Sequence, residues 1–318
     1  MTGLLAVPRA RLGTFPTPLH PAPRLSDALG VEIWFKRDDL TGLGLGGNKV
    51  RGLEYLIADA EQGGCDVFVT GGAPNSNWAM LAAVAARTRG MDAVLVHFGQ
   101  PVAPAGNSAL ALLAGAQLRF TGDDDRSSVD RVVAEVAAEL TSAGRRPYAV
   151  GRGGASGNGA LGYVNASLEL AEQLQQNGLR PQQLWLATGS CGTQAGLVAG
   201  GAWLRPGYEV VGVTVSRPAA EVQDRVARIA REAVALIGTP TPSGSPVVVD
   251  GFLGPAKGAR SPEGEAAATL VARTEGVFLD PVFGAKAMAG LVDAAGQGTV
   301  RGPIVFLVSG GAPTLFAD

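Results

Sequence analysis

A lysine that opens a helix behind a run of glycines is the pattern in this chain best suited to carbonyl chemistry. Thr41 to Arg51 reads TGLGLGGNKVR, so Gly42, Gly44, Gly46 and Gly47 lead into Asn48, Lys49 and an apolar helical pattern. Glycine tolerates positive φ and lets backbone approach a ligand closely. The helix N-terminus carries partial positive charge and disfavours an ammonium. Burial acts in the same direction, and a neutral amine is what Schiff-base formation requires. The chain has four lysines, Lys36, Lys49, Lys257 and Lys286, which gives this placement weight. A flexible turn before a solvated lysine would read the same way, so other stretches must decide. No Gly-Lys-Ser/Thr follows the glycines, which excludes a nucleotide P-loop.

Three more stretches point at one ligand. Gly71 to Trp78 (GGAPNSNW) is a strand-to-helix turn dense in small polar groups. Asn75, Ser76, Asn77 and the first helical amides there suit a carboxylate or a phenolic oxygen. An ordinary helix cap is its alternative. Thr188 to Thr193 (TGSCGT) lies between an apolar strand and an apolar helix. Its amides, with the Ser190 and Thr193 hydroxyls, form a phosphate cup at a helix N-terminus. No basic residue is near in sequence, so the dipole and amides are expected to do the binding. The pattern is not Gly-x-Gly-x-x-Gly, which argues against a dehydrogenase. Ser309-Gly310-Gly311 follows the last strand and also reads as a simple turn.

The elements that must position these groups alternate along the chain. Strands are expected at 31–36, 66–70, 93–98, 117–120, 147–150, 183–187, 209–215, 247–250 and 304–308. Helices are expected at 24–29, 48–61, 77–89, 108–115, 127–143, 158–176, 194–203, 219–236, 265–274 and 285–295. Residues 8–23 are proline-rich and read as an extended arm that cannot supply a central strand. Asp123 to Asp125 reads as a solvated helix N-terminus rather than a metal cluster, since adjacent acids cannot all face one ion. Alternation of this kind predicts an α/β fold with largely parallel sheets, whose ligands sit at the strand ends.

Composition bounds the rest. A chain of 318 residues with 46% hydrophobic content can bury one large core or two smaller ones. Net charge is −2 without a long run of either sign, which gives no support to a nucleic-acid or anionic-membrane partner. No apolar run is long enough for a membrane span, and no signal-peptide core is evident. Two cysteines and two histidines make no disulfide framework, zinc site or Ser-His-Asp triad. The expected location is the cytoplasm.

A phosphate cup, a helix-start lysine and a polar strand end are the parts that pyridoxal phosphate needs. The segments IWFKRDDLTGLGLGGNKVRGLEYL, GGAPNSNWAMLAAVAA, LATGSCGTQAGLVAG, LDPVFGAKAMAGLVD and LVSGGAPTLFA, in that order, resemble the D-cysteine desulfhydrase / 1-aminocyclopropane-1-carboxylate deaminase family. That resemblance spans nearly the whole chain. It implies the tryptophan synthase β-like fold (fold type II): two three-layer α/β domains with parallel or mixed sheets. The larger is expected from 1–50 and 158–318, the smaller inserted at 51–157, with pyridoxal 5'-phosphate between them in a homodimer.

The resemblance also implies roles. Lys49 would be the Schiff-base lysine and would shuttle the substrate α-proton. Asn77 would bond the cofactor phenolic oxygen, and Ser190, Cys191, Gly192 and Thr193 its phosphate. Ser309 would face the pyridine nitrogen. Asn75, Ser76 and Asn77 would bind the substrate carboxylate, with Ser76 a further candidate for proton transfer. Trp78, Lys257 and Phe283 would also line the substrate side. The implied reaction is α,β-elimination on a small amino acid, D-cysteine-like or otherwise β-substituted, to a 2-oxo acid and ammonia. Four positions depart from the family pattern. Phe283 replaces the aromatic hydroxyl of DPVY, Lys257 stands where a Gly-Tyr-Gly loop carries tyrosine, Trp78 stands where a polar residue follows Ser-Asn, and Met80 stands where an arginine lies two positions on. Phe283 can neither give nor take a proton. Replacement, racemisation or a catalytically reduced homologue are the alternatives that this altered site raises.

Overall fold

The computed structural model describes residues 2–254 and 258–316. Helix α1 (Thr2–Ala6) leads to strand β1 (Leu19–Pro21), α2 (Pro23–Leu29) and β2 (Ile33–Arg37). Next come α3 (Lys49–Gln62), β3 (Val67–Gly72), α4 (Asn77–Thr88), β4 (Asp92–His97), α5 (Gly106–Leu113), β5 (Gln117–Phe120), α6 (Ser128–Ser142) and β6 (Pro147–Ala149). The second half runs α7 (Gly157–Gln176), β7 (Gln183–Thr188), α8 (Gly192–Leu204), β8 (Glu209–Thr214), α9 (Ala219–Ile237), β9 (Val247–Val249), α10 (Pro262–Glu275), α11 (Gly284–Gly296) and β10 (Ile304–Val308).

The strands form two sheets. One is ordered β1-β2-β10-β7-β8-β9 and the other β5-β4-β3-β6. All pairings are parallel except β1 with β2. Parallel strands are covered on both faces, which is why β3, β8 and β10 read as near-continuous apolar runs. Phe35 of β2 and Phe306 of β10 meet edge to face at 6.2 Å and are fully buried. Each such burial contributes roughly 1.5–3 kcal/mol. Within the extended proline arm a short edge strand forms that the sequence did not mark. Leu19–Pro21 pairs antiparallel with Trp34–Lys36 at the sheet edge, where a proline costs no ladder bond.

A buried charge network fixes α3, and with it Lys49. Arg51 is 1% exposed and Asp38 0%. The Arg51 guanidinium donates from Nε to Asp38 Oδ2 (2.7 Å) and from Nη2 to Asp38 Oδ1 (2.8 Å). It donates also to both Glu169 oxygens, each at 2.9 Å. Lys36 and Tyr163 close the network on Glu169 and Asp38, and the Phe15 ring lies 4.5 Å from the Arg51 guanidinium carbon. Every carboxylate in it has a cation, and the arm, β2, α3 and α7 are tied at one point. Close approach of α7 needs Gly162, since a Cβ there would fall 2.3 Å from the Arg51 carbonyl.

Candidate active site

Lys49 is the first residue of α3, half-buried, with its Nζ donating to Ser190 Oγ at 3.2 Å. Burial pushes its ammonium down to about 8, while the Cys191 sulfur acts in the opposite direction. Asn48 donates its backbone N–H to the Ser309 carbonyl (2.9 Å) and its Nδ2 to Thr193 Oγ1 (3.0 Å). Three segments remote in sequence thus meet at the lysine. The glycines make the meeting possible. At Gly47 (φ 135°) a Cβ would lie 2.8 Å from Asn77 Nδ2, and at Gly310 (φ 84°) one would lie 2.6 Å from Gly47 Cα.

A cavity of about 360 Å³ opens at this junction, at the C-terminal ends of β3, β7, β8 and β10. Lys49, Asn75, Ser76, Asn77, Trp78, Ser190, Cys191, Thr193, Phe283 and Ser309 all line it. Gly192 stands beside them as the first residue of α8, in a narrower recess that also touches Lys49. Lys257 lies outside the described residues.

The polar lining divides into groups that are occupied and groups that are free. Ser76 caps α4, its Oγ accepting from the Ala79 N–H at 3.3 Å. Asn75 is committed elsewhere: its Oδ1 accepts from the Asn107 N–H (2.8 Å) and its carbonyl from Asn107 Nδ2 (3.0 Å), which holds the start of α5. Trp78 donates to Thr70 Oγ1 at 2.9 Å, and its ring fills the space beside Gly154, making it a wall of the cavity. By contrast Asn77 Oδ1 is buried with no hydrogen-bond partner. A buried acceptor left unpaired costs about 1–3 kcal/mol, so such atoms mark places for a ligand.

Cys191 caps α8 with φ 78°, a left-handed conformation rare for a side chain of this kind. That turn aims the following amides into the cavity. Burial raises its thiol pKa, and Arg225 and Arg217 oppose the rise. On the far wall Phe283 is 42% exposed and faces Gly189. Asp280 accepts from the Val282, Phe283 and Gly284 amides at 3.1, 2.8 and 2.7 Å, which fixes the start of α11. Burial raises its carboxyl pKa nonetheless.

Sequence reasoning missed the arginines. Arg126, Arg152, Arg217, Arg225 and Arg260 line the cavity. Arg225 of α9 donates from Nε to the Ser190 carbonyl at 3.3 Å, and Gly153 packs against Ser190, bringing Arg152 alongside. No basic residue is near this turn in sequence, yet the fold brings arginines beside it from beyond the ends of β5, β6 and β8 and from α9. The available signal was position, since Arg126, Arg152 and Arg217 each follow closely on the C-terminus of a parallel strand.

Comparison with known proteins gives a consistent result. Residues 10–310 match the family model described as "Pyridoxal-phosphate dependent enzyme". The chain is 41% identical over 323 residues to a protein named D-cysteine desulfhydrase from Yersinia enterocolitica, covering 99% of this chain and 97% of the relative. A crystal structure titled as an ACC deaminase homologue superposes with a TM-score of 0.93 at 36% identity, covering 99% and 97% of the two chains. Threonine deaminase isoform 2 from Solanum lycopersicum shares the fold at 18% identity, with a TM-score of 0.71 over 97% of this chain and 87% of that one.

Proposed function

Because the chain belongs to the pyridoxal-phosphate dependent enzyme family, we propose that it performs α,β-elimination on a small β-substituted amino acid of the D-cysteine type, giving a 2-oxo acid and ammonia. One observation carries the reading: a lysine amine whose pKa burial lowers to about 8 sits between a helix-N-terminal cup and a carboxylate-sized turn, inside one cavity. Pyridoxal phosphate is the family's cofactor, and the cavity suits it. Asn77 Oδ1 is buried there without a partner, and Ser190, Cys191 and Thr193 at the start of α8 line it. When bound, the cofactor supplies an electron-accepting ring conjugated to the substrate α-carbon.

The chain's own residues then take these parts. Lys49 would hold the cofactor by its aldehyde carbon, and its Nζ would take the substrate α-proton. A pKa near 8 keeps a working fraction of neutral amine at neutral pH. Ser190, Cys191, Gly192 and Thr193 would hold the phosphate, and Asn77 would orient the phenolic oxygen. The Ser309 hydroxyl would meet the ring nitrogen and, being neutral, would leave it unprotonated, which favours substrates whose leaving group departs readily. Ser76, Asn77 and the α4 amides hold the substrate carboxylate, with Ser76 able to pass a proton. Asn75 supports this turn through α5, and Trp78 and Phe283 wall the substrate; Lys257 belongs to this set by sequence. In this reading 51–157 is the smaller domain and the remainder the larger. The reading further takes the protein as a cytoplasmic homodimer, which light scattering tests.

The test is the visible spectrum before and after borohydride, with Lys49→Ala beside the wild type. Wild-type protein given cofactor should show an absorbance band that borohydride bleaches, leaving the cofactor on Lys49 in a peptide digest. The variant should lose that bond and at least about 10³-fold in turnover. No such band in the wild type would overturn the proposal.

A further inference from the structure

The arginines around the cavity outnumber what the proposed reaction requires. Arg152 is paired with Asp130 (2.8 Å) and Arg217 with Glu221. Arg126 and Arg225 form no ion pair with any described carboxylate; Arg126 lies over the Phe98 ring, and Arg225 contacts a backbone carbonyl. These groups sense each other. Burial, then Arg152 and Arg217, lowers the Arg126 pKa; burial, then Arg217, lowers that of Arg225. Such mutual repulsion is tolerated where an anion is to be bound. The cofactor phosphate already has the α8 amides and the Ser190 and Thr193 hydroxyls. One amino-acid carboxylate has the N-terminus of α4.

We infer that the substrate carries a second anionic group on its side chain, a phosphate ester or a sulfonate, recognised by Arg126 and Arg225 with Arg217. The inference rests on the function proposed above. Phe283 supports it independently: it lines the same cavity and has no proton to give a departing group. A leaving group that is stable as an anion needs none. In the elimination the Cα–H proton goes to Lys49 Nζ. The bond from Cβ to the phosphate-ester oxygen or sulfonate sulfur breaks, and its electron pair leaves with phosphate or sulfite. Water then converts the released 2-aminoacrylate to 2-oxo acid and ammonia.

The experiment uses cofactor-loaded protein and both enantiomers of O-phosphoserine, 3-sulfoalanine and aspartate, with serine and alanine as neutral controls. Equilibrium absorbance changes give Kd, and 2-oxo acid release gives turnover. The anionic amino acids should bind at least about tenfold tighter than the neutral ones, as charge-assisted hydrogen bonds imply. Aspartate should bind without turnover, because its carboxylate cannot leave. Either O-phosphoserine or 3-sulfoalanine should turn over, and which one does identifies the anion. Arg126→Gln and Arg225→Gln should raise Kd about 10- to 100-fold for anionic amino acids only, and Arg225→Lys should recover part of the loss. Equal binding of neutral and anionic amino acids would overturn the inference. So would variants that loosen the cofactor and weaken all amino acids alike, which would assign these arginines to the cofactor phosphate. Absence of the Lys49-linked band in the wild type would instead sink the function itself, so the two failures are distinguishable.

Discussion

Two sets of arginine contacts flank the first turn of α3, and they follow opposite plans. On one side Arg51 is enclosed by Asp38, Glu169 and Thr17, with Lys36 and Tyr163 completing the circle. On the other, Arg126 and Arg225 face the cavity without a carboxylate among the described residues. Removing charges from water costs several kcal/mol per ion, so a sealed interior admits only matched sets. Where solvent or a ligand reaches the strand ends, an excess of one sign survives and focuses the field on an incoming counter-charge. The balanced side holds the backbone of Lys49 in place; the unbalanced side selects what approaches its amine.

The largest expected effect breaks the balanced side. Arg51→Met strands buried Asp38 and leaves Glu169 with Lys36 alone, and should cost about 3–5 kcal/mol in denaturant unfolding. Arg225→Met should change stability by less than about 1 kcal/mol, because it removes repulsion along with contacts. Equal losses in the two variants would erase the distinction. A smaller effect sharpens the unbalanced side. Inorganic phosphate at ten times its Kd should stabilise the cofactor-free protein by about 1.4 kcal/mol, seen as a melting shift beyond that from chloride at equal ionic strength. Arg126→Gln combined with Arg225→Gln should reduce that shift. The smallest effect concerns Lys49 itself. Its folded pKa of about 8 is below the ordinary 10.5, so between these pH values the unfolded chain binds more protons. The Lys49 contribution to cofactor-free stability should therefore rise with pH from about 8 to about 10.5. Lys49→Met should flatten that rise in unfolding measured across pH.

Much of this arrangement was legible in the sequence, and for definite reasons. Helix α3 begins at Lys49, within one residue of the expected start, because four glycines stop and an apolar period begins there. Strands β5 and β10 match their expected limits because turn residues bound them on both sides. The edge strand β1 was hidden because its stability comes from pairing with β2, not from its own residues. Asn75 was expected at the substrate, but local composition could not show that Asn107 claims its side-chain oxygen. Arg225 was invisible for another reason. It sits on an amphipathic helix, where an arginine reads as solvated until α9 is docked beside Ser190.

The position of β10 has a consequence for how the protein is made. Strand Ile304–Val308 lies between β2 and β7, pairing with both, so the centre of the larger sheet stays open until Val308 has left the ribosome. The four strands of the other sheet all lie between Val67 and Ala149 and can pair far earlier during synthesis. Ser309 and Gly310, which complete the floor beneath Lys49, follow every strand of both sheets in chain order. A nascent or truncated chain can therefore carry a finished small sheet and an exposed β2 edge, yet hold no cofactor. Cofactor capture therefore has to wait until synthesis has passed Gly310.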